Sequence, residues 1–290
     1  MCQITDIQTG KKYLYENCRN IEEEIINKES TECYIFFSSN GLYEEDTFEK
    51  FDKVMLQGNR YEWKSIASAI KRRKGIGKII YVRDIYKNHY REGINSTLSS
   101  IDHVIEHLRE CTKGYTVTPV GISSGGYMAV IAGCRLNAKR VFCISGQFDL
   151  NKHLFGENLI IFQAKNPQYC QIADLAASHG EVPIYYFCPI NCGHDYRNYQ
   201  LVKDIKNVKC FLFPDKIHAA TVYPFNFPDL LCLSNERLDK LERHYHGKTI
   251  NKNIFLLRTM SWHGAWEFLK RLWKSKLNLT NLQSLWDVKK

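Results

Sequence analysis

The 290-residue chain contains no run of about 18 apolar residues, so a membrane-spanning helix is not expected. Residues 1–12 are polar and hold no apolar signal core, which leads to the expectation of a cytoplasmic protein. In that compartment the 11 cysteines are expected as reduced thiols. Their odd number argues against a complete disulfide framework, and Cys33, Cys143 and Cys210 sit in apolar runs that suit a small hydrophobe. Internal repeats and low-complexity linkers are missing. The stretch Gly75, Ile76, Gly77, Lys78 lacks the long phosphate-binding loop and precedes a β-rich run rather than a helix, so it is no nucleotide signature. Cys188, Cys192 and His194 do not have zinc-site spacing and no second pair matches them, so no metal is expected.

What the sequence does contain is a globular composition, 44% hydrophobic, 13% aromatic and 24% charged, enough for a substantial core. The formal charge of +9 favours anionic partners such as acidic glycans, coenzyme A, anionic lipid or nucleic acid. The basic residues are spread along the chain without a recognised nucleic-acid motif, so nucleic acid is not an expected partner.

Short β-rich runs alternate with helical runs. Strands are expected at 33–37, 78–82, 115–121, 140–145, 182–189 and 208–213, with helices at 61–74, 96–109, 124–136 and 199–205. The basic run at 71–74 followed by Gly75 has a sufficient cause in the helix dipole and the C-cap. This alternation implies a mainly parallel central sheet with helices on both faces, an α/β fold whose site lies at the carboxyl ends of the strands. Residues 151–180 read as a short helical insertion. Beyond 225 a helical extension packed on the first unit is expected, with helices at 230–244 and 256–276. The second of these interleaves Trp262, Trp266 and Trp273 with Lys270, Arg271, Lys274 and Lys276. A packed helix with a solvated basic face is the preferred reading, over a peripheral membrane or protein contact.

Gly121, Ser123 and Gly125 form G-x-S-x-G between a β-rich run and a helix rich in small residues. A tight strand-to-helix turn needs glycines on either side so that strand and helix pass closely. The serine then stands at the positive end of the helix, and the Ser124 N–H faces the same space, where it can stabilise an oxyanion.

This segment resembles the nucleophile elbow of the α/β-hydrolase superfamily. The resemblance implies an α/β-hydrolase fold over roughly residues 30–225 and the chain order serine, acid, histidine. His218 follows the last expected strand and Asp195 the strand before it, in the positions the resemblance implies for base and acid. Asp149 is the rival acid, with Asp195 preferred. Asp215 reads as a turn residue, and His194 and His179 as loop histidines. The family's second oxyanion donor comes from the loop after an early strand, here Ser38, Ser39, Asn40 and Gly41, with Ser39 or Asn40 chosen. The sequence there is not the HGGG of many lipases. The chain also loosely resembles α/β-hydrolase-like proteins of bacterial surface-polysaccharide and glycoprotein-export loci. That likeness implies an acyl group on a glycan. The expectation is a serine ester hydrolase without cofactor, acting on a small acyl group of a polar substrate. The runner-up is an O-acyltransferase from acetyl-CoA to a sugar hydroxyl, and a catalytically inactive interaction protein is the third reading.

Overall fold

The structure, a computed structural model, describes residues 4–71, 75–152, 166–262, 264–266 and 270. The first helix, α1 (Ile7–Asn17), starts at Asp6, whose carboxylate accepts from the Thr9 N–H at 2.9 Å. The strands β1 (Ile21–Ile25) and β2 (Glu32–Phe37) follow, then α2 (Phe48–Phe51), α3 (Lys64–Lys71) and β3 (Lys78–Val82). The alternation continues with α4 (Ile101–Cys111), β4 (Thr116–Ile122), α5 (Ser124–Arg135), β5 (Val141–Ile144), α6 (Ile172–Ser178), β6 (Ile184–Pro189), α7 (Gly193–Val202) and β7 (Val208–Phe213). Three helices follow, α8 (Phe227–Cys232), α9 (Asn235–Tyr245) and α10 (Lys252–Thr259), and residues 262, 264–266 and 270 beyond them are also helical.

Among the described residues the strands form one seven-stranded sheet in the order β1-β3-β2-β4-β5-β6-β7. β1 runs antiparallel to β3, and every other pairing is parallel. The inner strands are covered on both sides, which is why they read as continuous apolar runs rather than as an alternation. Cys33, Ile35 and Phe37 of β2 share a core with Val104 and Leu108 of α4 and with the buried side of α5. Tyr34 and Phe36 point the other way, into a core with Ala67 and Ile70 of α3 and Leu230 of α8. Phe187 and Phe211 stack in this second core at 4.9 Å, 9° from parallel.

The C-terminal helices differ from expectation in an instructive way. One helix over 230–244 is in fact two, broken at Leu233, whose ψ of 147° is extended. Arg140, 1% exposed, donates to the carbonyls of Leu231 and Leu233 at the end of α8 and, at 3.2 Å, to the Asn235 side chain. A buried guanidinium needs acceptors, and the last carbonyls of a helix are orphan acceptors at its negative end, so each satisfies the other. Ser234 then caps α9 by accepting from Arg237 N–H. The helix expected over 256–276 is interrupted at 260–261, with the described residues 262, 264–266 and 270 beyond the break helical again. α10 begins at the Asn251 cap and stops at Thr259, with Met260 extended. Trp262 is 94% exposed, and residues 263, 267–269 and 271–290, which include most of the basic-aromatic stretch, lie outside the described residues, as do 72–74 of the basic run and 153–165 of the insertion. No helix among the described residues is long and apolar enough to cross a membrane.

Directly after β3 the chain turns through Lys87, His89 and Tyr90, all with positive φ. The buried Asp84 carboxylate holds this loop, accepting from the N–H groups of Lys87, Asn88 and Tyr90 at 3.0, 2.8 and 2.9 Å. Burial raises its pKa from 3.8 to about 6, against the opposing effect of those hydrogen bonds. The native state therefore keeps this proton to higher pH than the unfolded chain does. The contribution is fully present below pH 3.8 and is lost as pH rises through about 6. In urea titrations over that window, the stability of the wild type relative to Asp84→Asn should fall by about 2 kcal/mol from pH 4 to pH 7. A pH-independent difference would contradict the assignment.

Candidate active site

The turn between β4 and α5 is built by close backbone approach. A Cβ on Gly121 would lie 2.0 Å from the Gly125 carbonyl oxygen, and one on Gly125 would lie 2.4 Å from that of Phe37. Neither position admits any other residue without moving main chain. Between them Ser123 has φ 55° and ψ −122°, a conformation that costs free energy and persists only because the surroundings enforce it. Its N–H donates to the Ile144 carbonyl at 2.8 Å, and its own carbonyl accepts from Tyr127 N–H in the first turn of α5. The side chain is thereby raised off the carboxyl edge of the sheet.

Two side chains from later crossovers meet it there. His218 lies in the turn after β7, where Ala219 takes φ 66°. Its Nε2 is 2.8 Å from Ser123 Oγ, and its Nδ1 is 2.8 Å from Asp195 Oδ2. Asp195 is 0% exposed, whereas the His218 side chain is 36% exposed, so the chain of hydrogen bonds runs from the interior towards solvent. Asp195 is not in a loop as expected. The helix begins at Gly193 rather than at 199, and Asp195 occupies its first turn. The unpaired N–H groups there favour a negative charge.

An antiparallel first strand, a parallel remainder in this crossed order, and a serine on a strained turn after the fourth strand decide the architecture. The chain has the α/β-hydrolase fold. No protein-family model matches it, and no curated protein matches it by sequence. Among solved structures, a mutant capsule O-acetyltransferase of Neisseria meningitidis serogroup A in complex with CoA aligns at 10% identity and TM-score 0.44, over 80% of this chain and 91% of that one. A carboxylesterase of the thaumarchaeon Nitrososphaera gargenis aligns at 11% and 0.42, over 68% and 88%. The esterase domain of a Rhodothermus marinus protein aligns at 10% and 0.41, over 66% and 86%.

Within this α/β-hydrolase framework the remaining expected residues separate. Asp149 faces the insertion: its carboxylate accepts from Asn151 N–H at 2.9 Å and its backbone bridges to Gln171. Asp215 pairs with Lys252 at 3.0 Å. Ser39 is drawn away from the elbow, because its N–H donates to Glu62 Oε2 at 2.6 Å and its hydroxyl to Glu62 Oε1 at 2.8 Å. Asn40 faces the elbow instead, its Oδ1 accepting from Ser124 Oγ at 3.0 Å. Cys188 Sγ lies 3.5 Å from the Asp195 carbonyl oxygen, beneath the site.

Gln147, which the sequence did not single out, lies near Ser123, and His194, expected as a loop histidine, is in the first turn of α7. Gln147, 4% exposed, places Nε2 3.5 Å from Ser123 Oγ and 3.5 Å from His194 Nε2. His194 packs edge-on against the His218 ring at 5.6 Å rather than standing free in a loop. Burial lowers its pKa against the pull of Asp195, which favours a neutral ring beside the His218 imidazole. Gln147 lies just past β5 at the same sheet edge, a position that the rule of strand carboxyl ends points to.

Proposed function

We propose that the protein is a serine ester hydrolase that forms an acyl-enzyme on Ser123. The carrying observation is the continuous line of hydrogen bonds, 2.8 Å from Ser123 Oγ to His218 Nε2 and 2.8 Å from His218 Nδ1 to Asp195 Oδ2. A serine hydroxyl is a weak nucleophile, and an imidazole in contact takes its proton as Oγ attacks the ester carbonyl. Asp195 keeps the other ring nitrogen protonated, which leaves Nε2 free to accept, and it stabilises the imidazolium that results. His218 returns the proton to the leaving alkoxide as the C–O bond breaks. Water then attacks acyl-Ser123, His218 taking its proton, and the carboxylic acid is released.

The tetrahedral intermediate's oxygen is assigned to the N–H of Ser124 at the start of α5 and, with Ser39 bound to Glu62, to that of Asn40. The substrate we assign is a small acyl ester of a polar, carbohydrate-like molecule, and no cofactor is required. A second reading has the polar Gln147 and His194 atoms beside Ser123 to support it: they can orient a sugar hydroxyl in place of water, making the enzyme an O-acyltransferase that uses acetyl-CoA.

Fluorophosphonate labelling tests the reading directly. Stoichiometric phosphonylation with loss of fluoride, absent in Ser123→Ala, is the expected result. A chain that stays unlabelled while folded is an interaction protein on a hydrolase scaffold. Acetyl-CoA consumption that starts only when a glycan acceptor is added selects transfer over hydrolysis.

A further inference from the structure

We propose that Cys192, Asp195 and His218 form a binding site for a thiophilic divalent cation of the zinc and cadmium type, and that its occupation switches the site off. Cys192 caps α7 and lies against the Asp195 carboxylate. Its Sγ, a carboxylate oxygen of Asp195 and a ring nitrogen of His218 all lie within 4.8 Å of one another. Thiolate, carboxylate and imidazole are the three donor types that zinc accepts, and three protein ligands leave a fourth position for water. Bonds of about 2.0–2.3 Å in a tetrahedron put ligand atoms about 3.3–3.7 Å apart, so the sulfur has to close by at most about 1 Å while the Nδ1–Oδ2 pair, now 2.8 Å apart, opens slightly. Cys192, at the start of α7, and His218, in the turn after β7, are both partly exposed and able to make that adjustment.

A second observation points the same way. Asp195 is wholly buried, yet its Oδ1 has no hydrogen-bond partner among the described residues, because Oδ2 makes the bond to His218. The donor beside this carboxylate is the Cys192 thiol itself, and a cation that replaces the thiol proton serves both groups at once. The comparable trio Glu23, His107 and Cys111 is equally close-set. There, however, the Lys78 ammonium already sits 2.6 Å from Glu23 Oε2. That second cluster carries its own cation and serves as the control.

Binding is balanced by one proton. The cation takes the Cys192 sulfur as thiolate, and that proton goes to the buffer. His218 stays neutral and coordinates through Nδ1, its single proton moving to Nε2. An Nε2 that carries a proton cannot accept one from Ser123, so hydroxyl and base are uncoupled. Only this last consequence rests on the hydrolase reading; the cation site does not.

Cobalt(II) titration of the full chain tests the site by its thiolate-to-metal absorption. The expected result is a thiolate band at one equivalent, kept in Cys111→Ser and lost in Cys192→Ser. Zinc should inhibit wild-type ester hydrolysis, with recovery on adding chelator. Cys192→Ser should keep basal turnover and need at least about 100-fold more zinc, beyond the effect of an outer-shell partner. No thiolate band in the wild type, or a band that survives Cys192→Ser, overturns the proposal. If the protein hydrolyses nothing, the cobalt band still decides the site, while Ser123 labelling decides the hydrolase reading.

Discussion

Ser123→Ala is expected to lower turnover of an activated small ester by about 10⁶-fold, and His218→Ala by nearly as much. The double variant should be no worse than either single one. The reason is that Oγ and Nε2, 2.8 Å apart, act as one unit: without the imidazole the hydroxyl is not activated, and without the hydroxyl the imidazole has nothing to activate. A residual rate about 10³–10⁴-fold above water is expected in all three, because the oxyanion donors and the binding surface remain. Ser123→Ala should not lower stability much. Alanine at φ 55° bears the strain that serine already bears, and only a partly exposed hydroxyl is lost. Steady-state rates and urea midpoints on the same preparations check both halves. Turnover within tenfold of wild type in Ser123→Ala would place the chemistry elsewhere and remove the basis of the proposed function.

The sequence displayed the inner sheet clearly, and for a physical reason. The strands from β2 to β7 pack side chains into both cores, so they read as mainly apolar runs, least cleanly in β4 with its two threonines and in the edge strand β7 with Lys209. β1 was invisible because it is an edge strand reading IEEEI, and its three glutamates face the ion pairs with Lys64, Lys78 and Lys71 rather than a core. α1 was missed for a related reason, since only a narrow stripe at Gly10, Lys11 and Leu14 is buried. The meeting of Ser123, Asp195 and His218 could be anticipated because parallel strands deliver their carboxyl ends to one edge. The start of α7 could not, because Gly193 reads as a breaker. In the fold it stands in open space at the first helical position, where its weak propensity costs little. Glu62 and Gln147 reach Ser39 and Ser123 through tertiary contacts with no local signature, so the engagement of the Ser39 amide by Glu62 had no sequence signal.

Asp195→Asn should cut turnover by about 10⁴-fold while leaving stability equal to wild type or above it. The two effects come from the same burial. Asp195 makes one hydrogen bond, to His218 Nδ1, and its other oxygen has none among the described residues. An ionised carboxylate at 0% exposure with half its acceptor capacity unused is costly to bury, and a neutral amide of the same shape relieves that cost. The amide, however, can present an N–H to Nδ1 and so hold the ring in the tautomer that protonates Nε2. In that form the ring cannot accept from Ser123, although every heavy atom stays in place. Asp149→Asn is the matched comparison: its amide oxygen still accepts from Asn151 N–H and only the charge assistance of that bond is lost, so turnover should change by less than about tenfold and stability should fall by no more than roughly 1 kcal/mol. The pair thus inverts: one carboxylate is a burden to the fold and indispensable to the rate, the other helps the fold and is indifferent to the rate. If Asp149→Asn proves the slower enzyme, His218 takes its orientation from a different crossover than the one that places Asp195 beside it, and the orienting carboxylate has been assigned to the wrong residue.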